Sequence, residues 1–343
     1  MKRLFFVLVI IMIILSTAVA CGSPTQGGKP TPAPASKPDG NYTVKIGFPS
    51  SARDTRAPDG PDIWGLEKGF FEEEFKADGI KVEYIPFLGA APAINEALAA
   101  GSLDMAYIAD IGALIGKASG LKTSLVAMGN PNGASWWLVV SPSSSIQKVT
   151  DLKGKKVATI KATAPHFYLL KALERNGLKA SDIELINMTL PDSEQALRAG
   201  QIDATVTGNW FGVKLLSQGI KAIDSTKETP IGRGTGVIVA TDSFIADHPT
   251  FFPRYYKARQ KASDWANADR DEAFAILVKN FGGVERGLLE PLYTKPFNYD
   301  QSLSADVLAR IKEGERFLRE LGLTRTAVDV DGWINQSVAY KKP

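Results

Sequence analysis

An internal repeat limits this chain to folds that use one α/β unit twice. The stretch ALAAGSLD at residues 97–104 returns as ALRAGQID at residues 196–203, 99 positions later. Each copy is a helical run that ends at glycine, a residue that accepts the left-handed backbone of a helix end. An aliphatic residue, an aspartate and a short apolar run follow in both copies. Because strand-like and helical patterns alternate around them, the sequence predicts two similar α/β lobes with parallel-type sheets flanked by helices.

The alternation continues to the end of the chain, where helical patterns outnumber strand-like ones. We interpret these last helices as a return to the first lobe. Hinges are expected near Trp136–Ser141 and Thr235–Ala240, with Trp136 and Trp137 bracing the first hinge rather than lining a site. The predicted organisation is a signal peptide (1–20), a linker (21–40), the first part of lobe one (41–138), lobe two (139–235) and the return segment of lobe one (236–343).

The N-terminus has the pattern of a secretory signal peptide. Lys2 and Arg3 precede an apolar run from Leu4 to Leu15, and small residues lead to Cys21. Cys21 is the only cysteine among the 343 residues, so an intramolecular disulfide and a cysteine-based zinc site are excluded. An ordinary cleaved signal followed by an incidental cysteine is the alternative interpretation.

Composition separates a tether from a globular body. Residues 22–40 contain five prolines and no bulky apolar side chain, which is typical of extended chain and would span roughly 60 Å. The whole chain contains 40 basic and 37 acidic residues. A net charge of +3 is too small to favour nucleic-acid binding.

Three segments together resemble a known family. The small residues before Cys21, DLKGKKVA at 151–158 and HFYLLKAL at 166–173 are similar to segments of the substrate-binding proteins of ABC importers. Within these, the resemblance is to the nitrate/sulfonate/taurine group, which also includes binders of thiamine-pyrimidine precursors. It implies a two-lobed periplasmic-binding-protein-like fold of type II that closes around a small solute.

The resemblance also implies partners and a location. Cys21 would carry lipid that anchors the protein on the extracytoplasmic face of the cell membrane, and a permease would receive the solute. We expect a monomer without cofactor or metal. The expected solute is small and anionic or zwitterionic, such as an aliphatic sulfonate or taurine. A thiamine-pyrimidine precursor, nitrate, or a sensory role without transport are the alternatives.

Candidate ligand contacts follow from the expected topology, because ligands of open α/β sheets bind beyond the carboxyl ends of parallel strands. A helix start after Thr163 suits an anionic group, and the repeat offset maps Asp110 onto Asn209. The candidate site residues are Ser50, Ser51, Arg53, Ala109, Asp110, Thr163, Ala164, His166, Asn209, Trp210 and Arg233.

Several candidates have a simpler structural role as the alternative. Asp110 and Thr163 suit the capping of helix starts. His166 and Trp210 suit packing, and the two arginines suit solvated surface positions. These alternatives stay open on the sequence alone.

Catalysis has little support in the sequence. His166 and His248 are the only histidines, and no G-x-S-x-G, Walker loop or H-E-x-x-H is present. Some relatives of the pyrimidine-precursor group are synthases with a cysteine-rich motif, whereas this chain has no cysteine after Cys21. We therefore expect a binding protein and not an enzyme.

Overall fold

Two five-stranded sheets form the framework of this computed structural model, which describes residues 41–131, 133–226 and 235–342. The expected signal peptide and linker, Cys21 and Arg233 lie outside the described residues. The strands are β1 (Thr43–Pro49), β2 (Lys81–Phe87), β3 (Met105–Ala109), β4 (Thr123–Asn130), β5 (Trp136–Val140), β6 (Lys156–Thr159), β7 (Glu184–Asn187), β8 (Ala204–Gly208), β9 (Lys221–Ser225) and β10 (Gly236–Thr241).

Helices follow most of the strands, as the alternation in the sequence predicts. They are α1 (Pro61–Glu67), α2 (Phe70–Phe75), α3 (Ala90–Ala99), α4 (Asp110–Ala118), α5 (Ala164–Arg175), α6 (Leu190–Arg198), α7 (Asn209–Ser217), α8 (Asp242–Asp247), α9 (Phe251–Ala268), α10 (Arg270–Asn280), α11 (Arg286–Leu289), α12 (Ala305–Glu320) and α13 (Val330–Trp333). Within the described ranges, no helix combines the length and the apolar character that a bilayer crossing needs.

Each sheet is mixed rather than parallel. The first has the order β2-β1-β3-β10-β4, and β10 runs antiparallel to both of its neighbours. The second has the order β7-β6-β8-β5-β9, and β5 runs antiparallel to both of its neighbours. The reason lies in where the chain crosses between the sheets. β5 and β10 each follow a crossing and enter their sheet at the edge where the parallel strands end, so they must run in the opposite direction.

The crossings are shifted from the expected hinges. Trp136–Val140 is a fully buried strand that pairs with β8, so the expected boundary after residue 138 falls inside β5. Gly236–Thr241 is likewise a strand, paired with β3 and β4. The lobes are therefore connected by the segments between β4 and β5 and between β9 and β10. The apolar residues at these positions are buried because β5 and β10 are interior strands of the two sheets.

The repeated aspartates hold equivalent strands in the two lobes. Asp104 Oδ2 accepts the backbone N–H of Lys45 at 2.8 Å, and Asp203 Oδ2 accepts that of Lys156 at 2.8 Å. Each aspartate thus ties the start of the central strand, β3 or β8, to the neighbouring strand, β1 or β6.

The helices after β10 complete the core of the first lobe, the part of the fold built on the first sheet. On α9, the fully buried guanidinium of Arg259 donates to both carboxylate oxygens of Asp62 at 3.1 Å. The hydroxyls of Tyr84 and Tyr255 also donate to Asp62, at 2.7 and 2.8 Å. This network balances a buried charge that would otherwise cost several kcal/mol.

Candidate ligand-binding cavity

A cavity of about 210 Å³ is lined by both lobes, at the edges of the sheets where the parallel strands end. Because β5 and β10 begin at these same edges, the first residues of the antiparallel strands, Trp136 and Gly236, also line it. The structure brings seven of the sequence-predicted residues to this cavity: Ser50, Ser51, Ala109, Thr163, Ala164, Asn209 and Trp210.

Three other candidates are placed elsewhere. Arg53 is exposed and is not among the lining residues. Asp110 is 4% exposed, and its Oδ1 accepts the N–H of Ile111 at 2.8 Å at the start of its own helix. Burial raises the pKa of Asp110 to about 6, although backbone hydrogen bonds oppose the rise. Its side chain serves α4 and not the cavity, because the carboxylate is turned back onto the helix start.

His166 is also a structural residue. Its ring is buried, and Nδ1 accepts the N–H of Ala162 at 3.3 Å. Burial, with a smaller contribution from the charge of Lys161, lowers the pKa of His166 to about 4. The imidazole is therefore neutral at physiological pH and holds the loop before α5.

Four helices begin at the cavity. Their first residues, Ala90 of α3, Ala164 of α5, Leu190 of α6 and Asn209 of α7, all line it. No side chain caps the start of α5 or α7, and the hydroxyl of Thr163 donates back to the carbonyl of Ile160. Helix starts carry partial positive charge and backbone N–H groups, so the second lobe, built on the second sheet, offers donors suited to an anion.

The backbone at these helix starts is strained. Ala90 has φ +48°, Asn209 has φ +49° and Ala162, next to Thr163, has φ +62°. A side chain with a Cβ loses roughly 1–2 kcal/mol in this left-handed region. Strain of this kind is maintained by its surroundings and concentrates at ligand sites, so it supports the assignment of the cavity as the binding site.

Two buried polar atoms at the cavity have no partner among the described residues: Thr55 Oγ1 and Trp136 Nε1. Thr55 is 5% exposed and Trp136 is 9% exposed. The Trp136 ring fits because it packs against Gly208, where an added Cβ would lie 2.2 Å from the ring. Local sequence patterns predict neither residue as a ligand contact and place Trp136 in a hinge. The β5–β8 register that sets Trp136 against Gly208 is a long-range property that such patterns do not contain.

Seven aromatic side chains contribute to the described wall. They are Phe48, Tyr107, Trp136, Trp210, Phe281, Tyr293 and Tyr299. Trp210 stacks on Phe281 of the first lobe, with ring centroids 5.2 Å apart and planes 10° apart, so it bridges the lobes beside the cavity. The wall suits the apolar part of a small organic molecule.

Asp59 is the one charged side chain among the described lining residues. The hydroxyl of Tyr293 donates to its Oδ2 over a long distance of 3.4 Å. Burial raises the pKa of Asp59 to about 6, and the charge of the nearby Asp62 adds to the rise. No sequence motif marked Asp59, which lies in the loop before α1.

Comparison with known proteins identifies the family to which this chain belongs. Residues 60–273 match the family described as NMT1/THI5 like. A Bacillus subtilis (strain 168) protein named for aliphatic sulfonate binding is 26% identical over 284 residues, which cover 82% of this chain and 84% of that protein.

Solved structures share the fold. The alkanesulfonate-binding protein SsuA from Xanthomonas axonopodis pv. citri, bound to MOPS, superposes with a TM-score of 0.74 at 21% identity, covering 87% of this chain and 99% of that one. The desulfurization enzyme DSZB superposes with a TM-score of 0.65 at 16% identity, covering 86% and 97%. The fold thus occurs in binding proteins and in an enzyme. Because the family match spans more than half of the residues, this two-lobed chain, with the fold of periplasmic binding proteins, belongs to the NMT1/THI5-like family.

Proposed function

We propose that this protein captures a small anionic or zwitterionic solute, of the aliphatic-sulfonate or taurine-like kind, and delivers it to the permease of an ABC importer. The observation that carries the proposal is the second-lobe wall of the cavity. There, two helix starts and the buried N–H of Trp136 line the cavity, and none of the three has a side-chain partner among the described residues. Together they supply hydrogen-bond donors for a sulfonate without requiring a cationic side chain.

Hinge closure is the proposed mechanism of capture. Ligand atoms that contact both lobes stabilise the closed arrangement by their differential affinity for it. Two aromatic contacts already join the lobes: Trp210 with Phe281, and Phe167 of α5 edge-on to Phe317 of α12 at 4.7 Å. Ligand therefore adds to an interface that is partly formed by the protein itself.

Binding rather than catalysis is proposed for two reasons. The described lining residues include no histidine, the side chain most often used as a general base, and no cysteine. The named sulfonate-binding relative supports the same choice. Nitrate is less well supported, since it has no apolar part to contact the aromatic side chains of the wall.

The membrane anchor is part of the proposal. Cys21 would carry the lipid, and the proline-rich linker would let the body move on the extracytoplasmic face while it stays attached. Cys21→Ser should move the protein from the membrane fraction to the soluble fraction and leave its ligand affinity unchanged. Loss of binding together with the anchor would contradict this division of roles.

A thermal-shift screen followed by calorimetry tests the solute. The probes are taurine, ethanesulfonate, nitrate and 4-amino-5-hydroxymethyl-2-methylpyrimidine. A sulfonate present at about 100 times its Kd should stabilise the protein by about 2.7 kcal/mol and raise Tm by several degrees. If neither sulfonate shifts Tm while nitrate or the pyrimidine does, the sulfonate assignment is wrong.

A further inference from the structure

We infer that the ligand carries a protonated amino group and that Asp59 selects for it; this rests on the proposed function, since it names the solute class of the same cavity. The two lobes differ in the charge that their described residues bring to the walls. The second lobe offers donors at the starts of α5 and α7 and at Trp136 Nε1. The first lobe offers the carboxylate of Asp59.

Asp59 has no cationic partner among the described residues. Its neighbour Asp62, by contrast, is matched by the guanidinium of Arg259. Within the described ranges, the side-chain partner of Asp59 is the hydroxyl of Tyr293, which donates a long hydrogen bond to it. A carboxylate in an aromatic cavity is costly unless a cation or strong donors complete it, and a ligand ammonium group would do so.

The position of Asp59 is fixed by the backbone next to it. Gly60 has φ +83°, and a Cβ there would lie 2.3 Å from the ring of Tyr299. Gly60 therefore holds a conformation that residues with side chains rarely adopt, with an aromatic ring packed directly against it. The chain is held so that Asp59 stays at the cavity wall, which pre-organises it for a ligand.

A second, independent observation supports an ammonium site on this wall. The hydroxyl of Thr55 lines it and has no hydrogen-bond partner among the described residues. It can accept a hydrogen bond from an ammonium group that also contacts Asp59. A plain anion would find no cationic side chain among the described lining residues of the first lobe and would meet the negative charge of Asp59. An amino-sulfonate places opposite charges at the two lobes and so favours closure.

The test compares matched ligands by calorimetry at pH 7.5. Taurine and ethanesulfonate differ by the amino group, and β-alanine and propionate form a second pair in which a carboxylate replaces the sulfonate. We expect the wild type to prefer the amino member of the binding pair by at least ten-fold. Asp59→Asn should abolish that preference, while Asp54→Asn, at an exposed position of the same loop, should keep it.

A pH series adds a readout that a merely structural role would not move. The groups around Asp59 are Asp62, already paired with Arg259, and the hydroxyls of Tyr107, Tyr293 and Tyr299, whose pKa values lie well above 10. Of these groups, Asp59 is therefore the one expected to gain a proton between pH 7.5 and pH 5, while an alkylamine stays charged. Asp110 also gains a proton in this range, but it does so in the wild type and in Asp59→Asn alike. Taurine affinity should fall about ten-fold in the wild type and stay level in Asp59→Asn.

The outcomes separate the two proposals. If both sulfonates bind equally, or Asp59→Asn keeps the preference, the role of Asp59 is refuted while sulfonate binding stands. If only β-alanine binds, and needs Asp59, amine selection stands and the sulfonate assignment falls. A protein that binds none of the amino compounds refutes the inference.

Discussion

Thr55→Val offers a sharp test of the cavity, because the same change can stabilise the empty protein and weaken its complex. The hydroxyl of Thr55 is buried and has no partner among the described residues, which costs about 1–3 kcal/mol. Valine has nearly the same shape and removes that cost. We expect the free energy of unfolding of the ligand-free protein to rise by about 1 kcal/mol and Tm by about 2 °C.

Ligand affinity should change in the opposite direction. If the Thr55 hydroxyl is left free to contact ligand, valine loses one hydrogen bond, worth about 1 to 1.5 kcal/mol. Kd should then rise roughly five- to ten-fold. Urea unfolding of the ligand-free protein and calorimetry with the best ligand of the screen measure the two effects separately.

The fold supplies matched controls. Thr159 and Thr207 are each 1% exposed, carry hydroxyls without a partner within the described ranges, and do not line the cavity. Thr159→Val and Thr207→Val should stabilise the protein by a similar amount and leave Kd unchanged. If Thr55→Val binds ligand as the wild type does, or if all three variants lose affinity equally, the assignment of Thr55 to the ligand site is refuted.

Three further changes probe the framework. Arg259→Met leaves the buried Asp62 carboxylate without its cation and should lower the free energy of unfolding by about 3–5 kcal/mol in urea titrations; a loss under 1 kcal/mol would contradict the buried pair. Gly208→Ala adds a Cβ against the Trp136 ring, and calorimetry should show at least a ten-fold loss of ligand affinity with unchanged circular dichroism. The pKa of Asp110 is raised in the folded protein, so this group makes the wild type less stable as pH rises from about 4 to about 6. Relative to the wild type, Asp110→Asn should therefore gain about 3 kcal/mol in the free energy of unfolding between pH 4 and pH 7. A difference that does not depend on pH would refute this.

Local patterns identified the elements of this fold well and their partners poorly. The repeat at residues 97–104 and 196–203 predicted two α/β units, and β3 and β8 do hold equivalent central places in the two sheets. The same patterns predicted parallel sheets. The antiparallel course of β5 and β10 depends on where the chain crosses between the sheets, which is a long-range property that no window of sequence contains.

The candidate site shows the same division. Ser50, Thr163 and Asn209 lie at the cavity, as predicted. Their prediction succeeded because the alternation of strands and helices alone locates the ends of the parallel strands. The polar contact expected from an acidic residue was assigned to Asp110, whereas Asp59 occupies the wall. Whether a carboxylate turns into a cavity or back onto its own helix is decided by side-chain packing, and the sequence carries no direct signal of that choice.

The place of β10 between β3 and β4 bears on the order in which the protein is completed during synthesis. All strands of the second sheet lie between Trp136 and Ser225, so that sheet can close as soon as its own segment has been made. The first sheet cannot, because β4 pairs with no strand other than β10 in the described chain, and β10 starts only at Gly236. The later-encoded lobe is therefore the first that can finish its sheet. The first lobe keeps an unpaired sheet edge until β10 has been synthesised. In a nascent or truncated protein, that edge is the segment most exposed to aggregation.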